Sequence, residues 1–477
     1  MDRFRIKKIY IQTMGCQMNV YDSEQILKQM TKAGYEPAGS PEEADLVICN
    51  TCSIREKAEQ KAFSFLGRLA ALKQKRPELI IGMGGCVAQQ EGRQVLRRLP
   101  HVDLVFGTQA ISRLPAMVAS AASRRQRLVD TRLEHSIGPD EFLTNPVRLP
   151  GVTAFVTIMR GCDNFCSYCV VPYVRGRETS RHPDEIVSEI EKLVARGVRE
   201  VTLLGQNVNS YGKKEGLCSF SRLLEKINAI SGLERIRFTT SHPKDLSRDL
   251  MEAFIKLDKL CNHIHLPVQS GSDAVLKRMN RKYSRSVYTE KIRALRAICP
   301  DVAITSDIIV GFPGETEEDF RQTLDLIAEI GFDGLFAFMY SDRPNAPAAC
   351  FEAKVDEQEK KRRLQEVLSL QAKYTEASNR ALMGTVQQVL VEGPGDDSAG
   401  GECGRKLSWK GRTATNKIVH FGISEKEKGS NQMLTGRVMD IMIKRALPHC
   451  LLGEPFAGKR GVPSNEAKGA INHASQG

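Results

Sequence analysis

No stretch of about 18 uncharged apolar residues occurs in the 477-residue chain, so no membrane-spanning helix is expected. The opening residues Met1-Asp2-Arg3-Phe4-Arg5-Ile6 lack the apolar core of a secretory leader, and the expected compartment is the cytoplasm. There is no solenoid-type repeat. No second Cys-x2-Cys unit accompanies Cys166 and Cys169, which argues against a structural zinc site built from two such pairs. What the chain has in number is cysteine. In a reducing compartment, 13 cysteines are better explained by metal ligation or catalysis than by disulfides. The net charge of +12 favours an anionic partner such as RNA or DNA, although charge alone is a weak guide.

The length suggests roughly two to four domains. Over about residues 5–132, apolar runs at Ile9-Tyr10-Ile11, Leu46-Val47-Ile48-Cys49, Leu79-Ile80-Ile81 and Leu104-Val105-Phe106 alternate with amphipathic stretches such as Ser23 to Ala33 and Lys57 to Leu72. That order predicts a small parallel α/β sheet. A breaker-rich loop, Leu133 to Gly151, marks a boundary. Over 151–380 a strand-then-helix pattern recurs about six times. The strands are expected at Ala154–Met159, Glu200–Leu204, Arg235–Thr240, Ile264–Val268, Ala303–Val310 and Gly334–Tyr340. Six units are too few for a closed eight-fold barrel, so a partial (β/α)6 barrel is expected, with a charged helix from Asp356 to Arg380 leading out of it. Over 381–447, three strand-like runs separated by Gly-rich turns predict a small antiparallel β-barrel. From about Gly453 the composition predicts a disordered tail.

Cys162-Asp163-Asn164-Phe165-Cys166-Ser167-Tyr168-Cys169 follows the first barrel strand. Three thiolates in one tight loop suit a [4Fe–4S] cluster with only three protein ligands, leaving one iron open. An open iron can chelate the amino and carboxylate groups of S-adenosylmethionine, and an electron from the cluster then cleaves the sulfonium bond to a 5′-deoxyadenosyl radical. Cys162, Cys166 and Cys169 are therefore the expected catalytic centre. Three more cysteines, Cys16, Cys52 and Cys86, each lie just past an apolar run, where a parallel sheet gathers ligands at its carboxyl edge. They suggest a second cluster. Cys49 competes with Cys52, but its place within an apolar run reads as packed core. Cys218, Cys261, Cys299, Cys350, Cys403 and Cys450 share no ligand spacing.

From about Lys8 to Leu447 the sequence resembles the radical S-adenosylmethionine methylthiotransferases. The resemblance rests on Gly15-Cys16-Gln17-Met18-Asn19, Asn50-Thr51-Cys52-Ser53-Ile54-Arg55-Glu56-Lys57-Ala58, Gly84-Gly85-Cys86-Val87 and Arg160-Gly161-Cys162 through Arg175-Gly176. It implies an auxiliary [4Fe–4S] cluster on Cys16, Cys52 and Cys86, and so settles Cys52 over Cys49. It also implies that the third segment is a TRAM domain, an RNA-binding β-barrel. Gln17-Met18 and Ser53-Ile54-Arg55-Glu56 are most similar to members that methylthiolate C2 of N6-isopentenyladenosine beside the anticodon of tRNA. They match neither the branch acting on threonylcarbamoyladenosine nor the one acting on a ribosomal-protein aspartate. Asp342 and the Gly- and Asp-rich stretch Gly393 to Gly404 depart from the family pattern.

The C2–H bond of adenine is beyond any side-chain base at neutral pH, which makes a radical route sensible. The resemblance implies two S-adenosylmethionine molecules, one for the methyl group and one for the radical, together with a low-potential electron donor and a sulfur source. Contacts to S-adenosylmethionine are expected from strand ends: Tyr168 near the adenine, Gln206 on the methionine amino group, and Gln269 and Ser270 closing on the adenosine. Arg412, Lys417, Arg437, Lys444 and Arg445 are expected to meet phosphates of the anticodon stem-loop. A reading of another class, an iron–sulfur electron or cluster carrier that binds RNA, is disfavoured by the barrel-like repeat.

Overall fold

The computed structural model describes residues 6–53, 56–134, 151–395, 409–423 and 434–456. Most of the expected linker, Ile54-Arg55 of the second cysteine motif, Cys403, most of the Gly- and Asp-rich stretch and the chain beyond 456 lie outside the described residues. The chain divides into two compact units, Met1–Ser378 with Ala414–Asn416, and Asn379–Thr413 with Lys417–Gly477.

The first unit begins with β1 (Lys7–Met14), β2 (Tyr35–Pro37), β3 (Leu46–Thr51), β4 (Ile80–Gly85), β5 (Leu104–Phe106) and β6 (Leu128–Asp130). All pair in parallel, in the order β2-β1-β3-β4-β5-β6. Every residue of β3 and β4 is buried, because helices cover both faces. Leu46 and Ile48 face the helices Gln17–Lys32 and Leu114–Arg124, while Val47 and Cys49 face Glu56–Lys75. Cys49 is thus core, as its place within the strand run suggested. β2 and β6 were not expected, since three residues at a sheet edge are too short for a pattern to register.

The rest of the unit is built on β7 (Thr153–Thr157), β8 (Met159–Arg160), β9 (Thr179–Ser180), β10 (Glu200–Leu204), β11 (Arg235–Phe238), β12 (His263–His265), β13 (Ala303–Val310) and β14 (Gly334–Met339). Two parallel sheets, β7-β10-β11 and β12-β13-β14, are linked by one bridge between Ile236 and Leu260. The result is the open six-stranded barrel that six strand–helix units imply. The first expected strand is broken after Thr157, and Met159–Arg160 turns to pair antiparallel with Thr179–Ser180. The helices begin where side-chain oxygens cap them. Ser219, Ser247, Ser272, Ser284 and Thr316 each accept a backbone N–H from the first turn that follows.

The second unit is a closed barrel of β15 (Val386–Pro394), β16 (Trp409–Thr413), β17 (Ile418–Phe421), β18 (Val438–Ala446) and β19 (Leu451–Pro455), in the order β15-β16-β17-β19-β18. Val389, Val391, Trp409, Val419, Phe421 and Ile441 fill it. The pairing is antiparallel except for β17 with β19. Two expectations are corrected. The barrel does not end at Leu447, and Gly453 does not open a disordered tail. Leu451 and Leu452 are buried, and Gly453 lies in the closing strand, where a Cβ would sit 2.4 Å from Ile441 Cγ2. Low hydrophobicity beyond 453 masked a strand whose buried residues come first.

Trp409 is the sole tryptophan and is fully buried in this barrel, so its fluorescence reports that unit alone. Ile441→Ala should cost about 2–5 kcal/mol by leaving a cavity. In urea, the fluorescence transition should move to lower denaturant while the far-ultraviolet dichroism of the helical unit keeps its midpoint. Equal movement of both signals would show that the units unfold as one.

Candidate functional site

The register Met14–Thr51–Gly85 aligns the ends of β1, β3 and β4, so Cys16, Cys52 and Cys86 leave the sheet at one edge. In this strand order, that edge at β1 and β3 is the switch point where α/β sheets bind ligands. Two glycines allow the approach. A Cβ on Gly15 would lie 2.7 Å from Cys52 Cβ, and Gly85, at φ 92°, would place one 2.4 Å from Thr51 O. Asn19 and Asn50 tie the ends together. Asn19 Nδ2 donates to Thr51 O at 3.1 Å, and Asn50 Nδ2 to Asn19 O at 2.9 Å. The Cys16 thiol donates to Asn19 Oδ1 at 3.4 Å. A hydrogen bond from Cys52, with nearby Arg175, lowers the Cys16 thiol to about 6 against its burial. Burial raises Cys86, and pushes Cys49 up to about 12.

Cys162, Cys166 and Cys169 lie in the loop between β8 and the short helix Val171–Val174. Burial raises Cys162 to about 11 and Cys169 to about 12. The loop is braced from the far side of the barrel. Ser167 N–H donates to Met279 O at 3.0 Å, Ser167 Oγ to Arg278 O at 2.8 Å, and Asn280 Nδ2 to Phe165 O at 2.8 Å. Phe165, at φ 48°, takes the left-handed turn the loop needs. No spacing in the sequence pointed to Met279-Asn280-Arg281 as the partner of this loop.

The expected cofactor contacts fare differently from one another. Tyr168 packs among Phe312, Tyr340 and Met279, with Arg281 Nη1 at 3.4 Å from its hydroxyl. Gln206 Oε1 accepts the Gly161 N–H, and its Nε2 is buried with no partner. The amide thus offers a donor, which suits a carboxylate and not the amino group expected from sequence. Gln269 is buried at φ 77°, in a backbone bridge to β13. Ser270 is fully buried, its hydroxyl shared between Thr323 Oγ1 at 3.3 Å and the Ser272 N–H at 3.2 Å. These contacts prop the loop that follows β12.

One segment joins the two cysteine groups. Arg175 pairs with Asp22 through Nη2–Oδ2 at 2.6 Å and Nη1–Oδ1 at 3.3 Å, both side chains being buried. Its charge also acts on Cys86, lowering that thiol against its burial. The neighbouring Val174 and Arg175 carbonyls accept from Thr108 Oγ1 at 2.7 Å and Gln109 Nε2 at 3.0 Å, and Gly176 O accepts the Cys162 N–H at 3.3 Å. Nearby polar groups are also perturbed. Burial raises Glu178 to about 7, although Ser210 Oγ donates to it at 2.8 Å. Burial and the cations Arg281, Lys244 and Lys291 depress His242 to about 2. His242 Nδ1 accepts the Lys244 N–H, while its Nε2 is buried without a partner, unlike His263 and His265, which share Thr305 Oγ1. Of the expected RNA-facing cations, Arg437, Lys444 and Arg445 are exposed. Arg412 is half-buried, with Glu392 at 3.0 Å.

Among the described residues, no three ligand-type side chains converge tightly enough to grip a single metal ion. A cubane of four irons needs sulfurs set wider apart than one tetrahedral ion does. Each cysteine group is all-thiol, and the unpartnered Gln206 amide lies beside the barrel loop. Both features fit a cluster with a ligand on its open side.

The model of an uncharacterized protein family, UPF0004, matches residues 8–107, and that of the radical SAM superfamily matches residues 156–327. A radical S-adenosylmethionine methyltransferase from Kitasatospora setae, solved with cobalamin and a [4Fe–4S] cluster bound, shares the fold at TM-score 0.53 and 14% identity, covering 72% of this chain and 74% of that one. The barrel and its cysteine loop define a radical S-adenosylmethionine enzyme. A protein named tRNA-2-methylthio-N(6)-dimethylallyladenosine synthase in Desulfosudis oleivorans is 55% identical over 94% of this chain and 96% of its own length. One of the same name in Syntrophus aciditrophicus is 51% identical over 94% of both. The chain belongs to the family of tRNA-2-methylthio-N(6)-dimethylallyladenosine synthases.

The thiol environments give a test in the iron-free chain. A lowered pKa means that Cys16 gains thiolate as pH rises through about 6, so its alkylation by iodoacetamide should be half-maximal there and flat by neutral pH. Cys49 and Cys169, pushed up to about 12, should stay unlabelled across the same range. Mass spectrometry of the labelled peptides reads this directly. Equal labelling of Cys16 and Cys49 at pH 7 would contradict the geometry.

Proposed function

We propose that this chain methylthiolates C2 of N6-isopentenyladenosine beside the anticodon, position 37, of tRNA, using two S-adenosylmethionine molecules. The observation that carries the reading is the pairing of two all-cysteine groups with relatives of that name along almost the whole chain. Cys162, Cys166 and Cys169 hold one [4Fe–4S] cluster, and Cys16, Cys52 and Cys86 hold the auxiliary one. A cluster held by Cys162, Cys166 and Cys169 would supply the electron that cleaves S-adenosylmethionine, and one held by Cys16, Cys52 and Cys86 would supply a place for the sulfur to be methylated.

The chain's own residues select, orient and shield. Gln206 Nε2 donates to the methionine carboxylate, and Tyr168 closes the cofactor side of the loop. The apolar wall of Phe312, Tyr340 and Met279 excludes water from the reacting atoms. Asp22 fixes Arg175 so that its guanidinium meets the Cys86 sulfur and offsets the charge of thiolates at the auxiliary site. The carboxyl-terminal barrel, a TRAM domain, contacts the anticodon stem-loop through phosphates, with Arg437, Lys444 and Arg445 as its exposed cations. A low-potential donor and a source of sulfur complete the reaction. The working compartment is the cytoplasm.

Nucleoside analysis of tRNA from cells with and without the chain tests the activity, the methylthio-isopentenyl nucleoside being lost in its absence. The anaerobic protein should carry two clusters. Cys162→Ala, Cys166→Ala and Cys169→Ala together should leave one cluster and no 5′-deoxyadenosine from S-adenosylmethionine and dithionite. Unchanged iron content would refute the assignment. Cys52→Ala should abolish methylthiolation by at least a hundredfold, about 3 kcal/mol of barrel-independent loss, whereas Cys49→Ala should retain it. Equal loss in both would remove Cys52 from the ligand set.

A further inference from the structure

Arg281 follows Asn280, whose left-handed φ of 57° turns the chain back toward the barrel cysteine loop. The Arg281 side chain is only 8% exposed. Its guanidinium reaches Cys166 Sγ at 3.5 Å and Tyr168 Oη at 3.4 Å through Nη1, Pro267 O at 2.7 Å through Nη2, and Tyr283 Oη at 2.7 Å through Nε. Among the described residues it has no carboxylate partner. Four of the six other buried arginines have a carboxylate pair: Arg175 with Asp22 at 2.6 Å, Arg181 with Glu189 at 2.8 Å, Arg237 with Glu200 at 3.0 Å, and Arg363 with Glu315 at 2.8 Å. A buried guanidinium without a counter-charge is strongly unfavourable. Tyr168 and Tyr283 do not supply one, since a phenol is neutral at neutral pH. The group in hydrogen-bond reach that becomes anionic is the sulfur of Cys166, once it is a ligand.

We infer that Arg281 is a positioning residue that supplies the counter-charge of the cluster at Cys162, Cys166 and Cys169 and raises its reduction potential through the Cys166 sulfur. The inference rests on the reading that this loop holds a cluster. When a one-electron donor such as dithionite reduces that cluster, the site gains one negative charge and no proton. A fixed cation and a hydrogen bond to a ligand sulfur favour the more negative form, because cluster potentials follow net charge and hydrogen bonds to sulfur. Arg281 is the cation that acts on Cys169, while Glu178 acts in the opposite sense on Cys162. The remaining donors of Arg281, on Pro267 and Tyr283, hold it in place whichever charge the site carries.

The test is a potentiometric titration, followed by electron paramagnetic resonance, of the anaerobic full-length chain carrying Cys16→Ala, Cys52→Ala and Cys86→Ala, so that one cluster gives the signal. Arg281→Met removes charge and donors, Arg281→Gln keeps a donor, and Arg281→Lys keeps the charge. Arg281→Met should shift the reduction equilibrium at least tenfold toward the oxidised form, 59 mV for a one-electron couple. Arg281→Gln should fall between, and Arg281→Lys should stay close to the parent. Should Arg281→Met fail to retain iron, Arg281→Gln against Arg281→Lys decides. A loaded cluster whose potential is the same in Arg281→Gln, Arg281→Lys and the parent overturns the inference. A parent with no signal responsive to S-adenosylmethionine instead overturns the cluster reading beneath it.

Discussion

Arg175 carries a full charge into a place with almost no water, and the site is arranged around how that charge is met. Asp22 grips it from the helix Gln17–Lys32, the Cys86 sulfur meets it from the end of β4, and its backbone is fastened through Thr108 and Gln109. Removing one member of such a pair strands the other, a loss of roughly 3–5 kcal/mol. The next carbonyl, Gly176 O, accepts from Cys162, so one short segment touches both cysteine groups. The N-terminal sheet and the barrel could each fold correctly and still fail as an enzyme if this one pair were misplaced.

The thiols differ by design of their surroundings. Cys16 stands at a helix start, with hydrogen bonds that favour its anion, while Cys162 and Cys169 are pushed far upward by burial. Thiols raised by burial stay protonated while unligated, so ligation to iron there must release their protons. Arg281 works against burial in that loop, since its charge lowers Cys169. Protein charge and ligand charge are complementary on both sides of the Arg175 segment.

Much of this was legible in the sequence, and the part that was not has a physical reason. The cysteines and their strands announce themselves, since a thiol just past an apolar run has few structural readings. The limits of β10 and β13 match expectation because both are bounded by turns on each side. Asp22 and Arg281 gave no warning. A lone polar residue on a helix or turn has no periodicity of its own, and its partner lies 153 residues away in the case of Asp22 and Arg175. The donor sense of Gln206 was likewise hidden, because it is set by the Gly161 N–H that occupies its oxygen. Two of the five barrel strands were missed: β16, short and half polar, and β19, whose two leucines cannot outweigh the polar stretch after them.

The register that brings Cys16, Cys52 and Cys86 to one edge also dictates when that edge can exist. These residues are separated by about 35 positions each, so three successive strand–helix units must pair before their sulfurs meet, whereas the barrel triad closes within a single loop. Arg175 is synthesised roughly 90 residues after Cys86, which is on the order of 5–20 s of translation. During that interval the emerging sheet carries Asp22 and its thiols without their cation. The N-terminal sheet is therefore born incomplete, and Asp22 meets its cation only after the first loop of the barrel has been made.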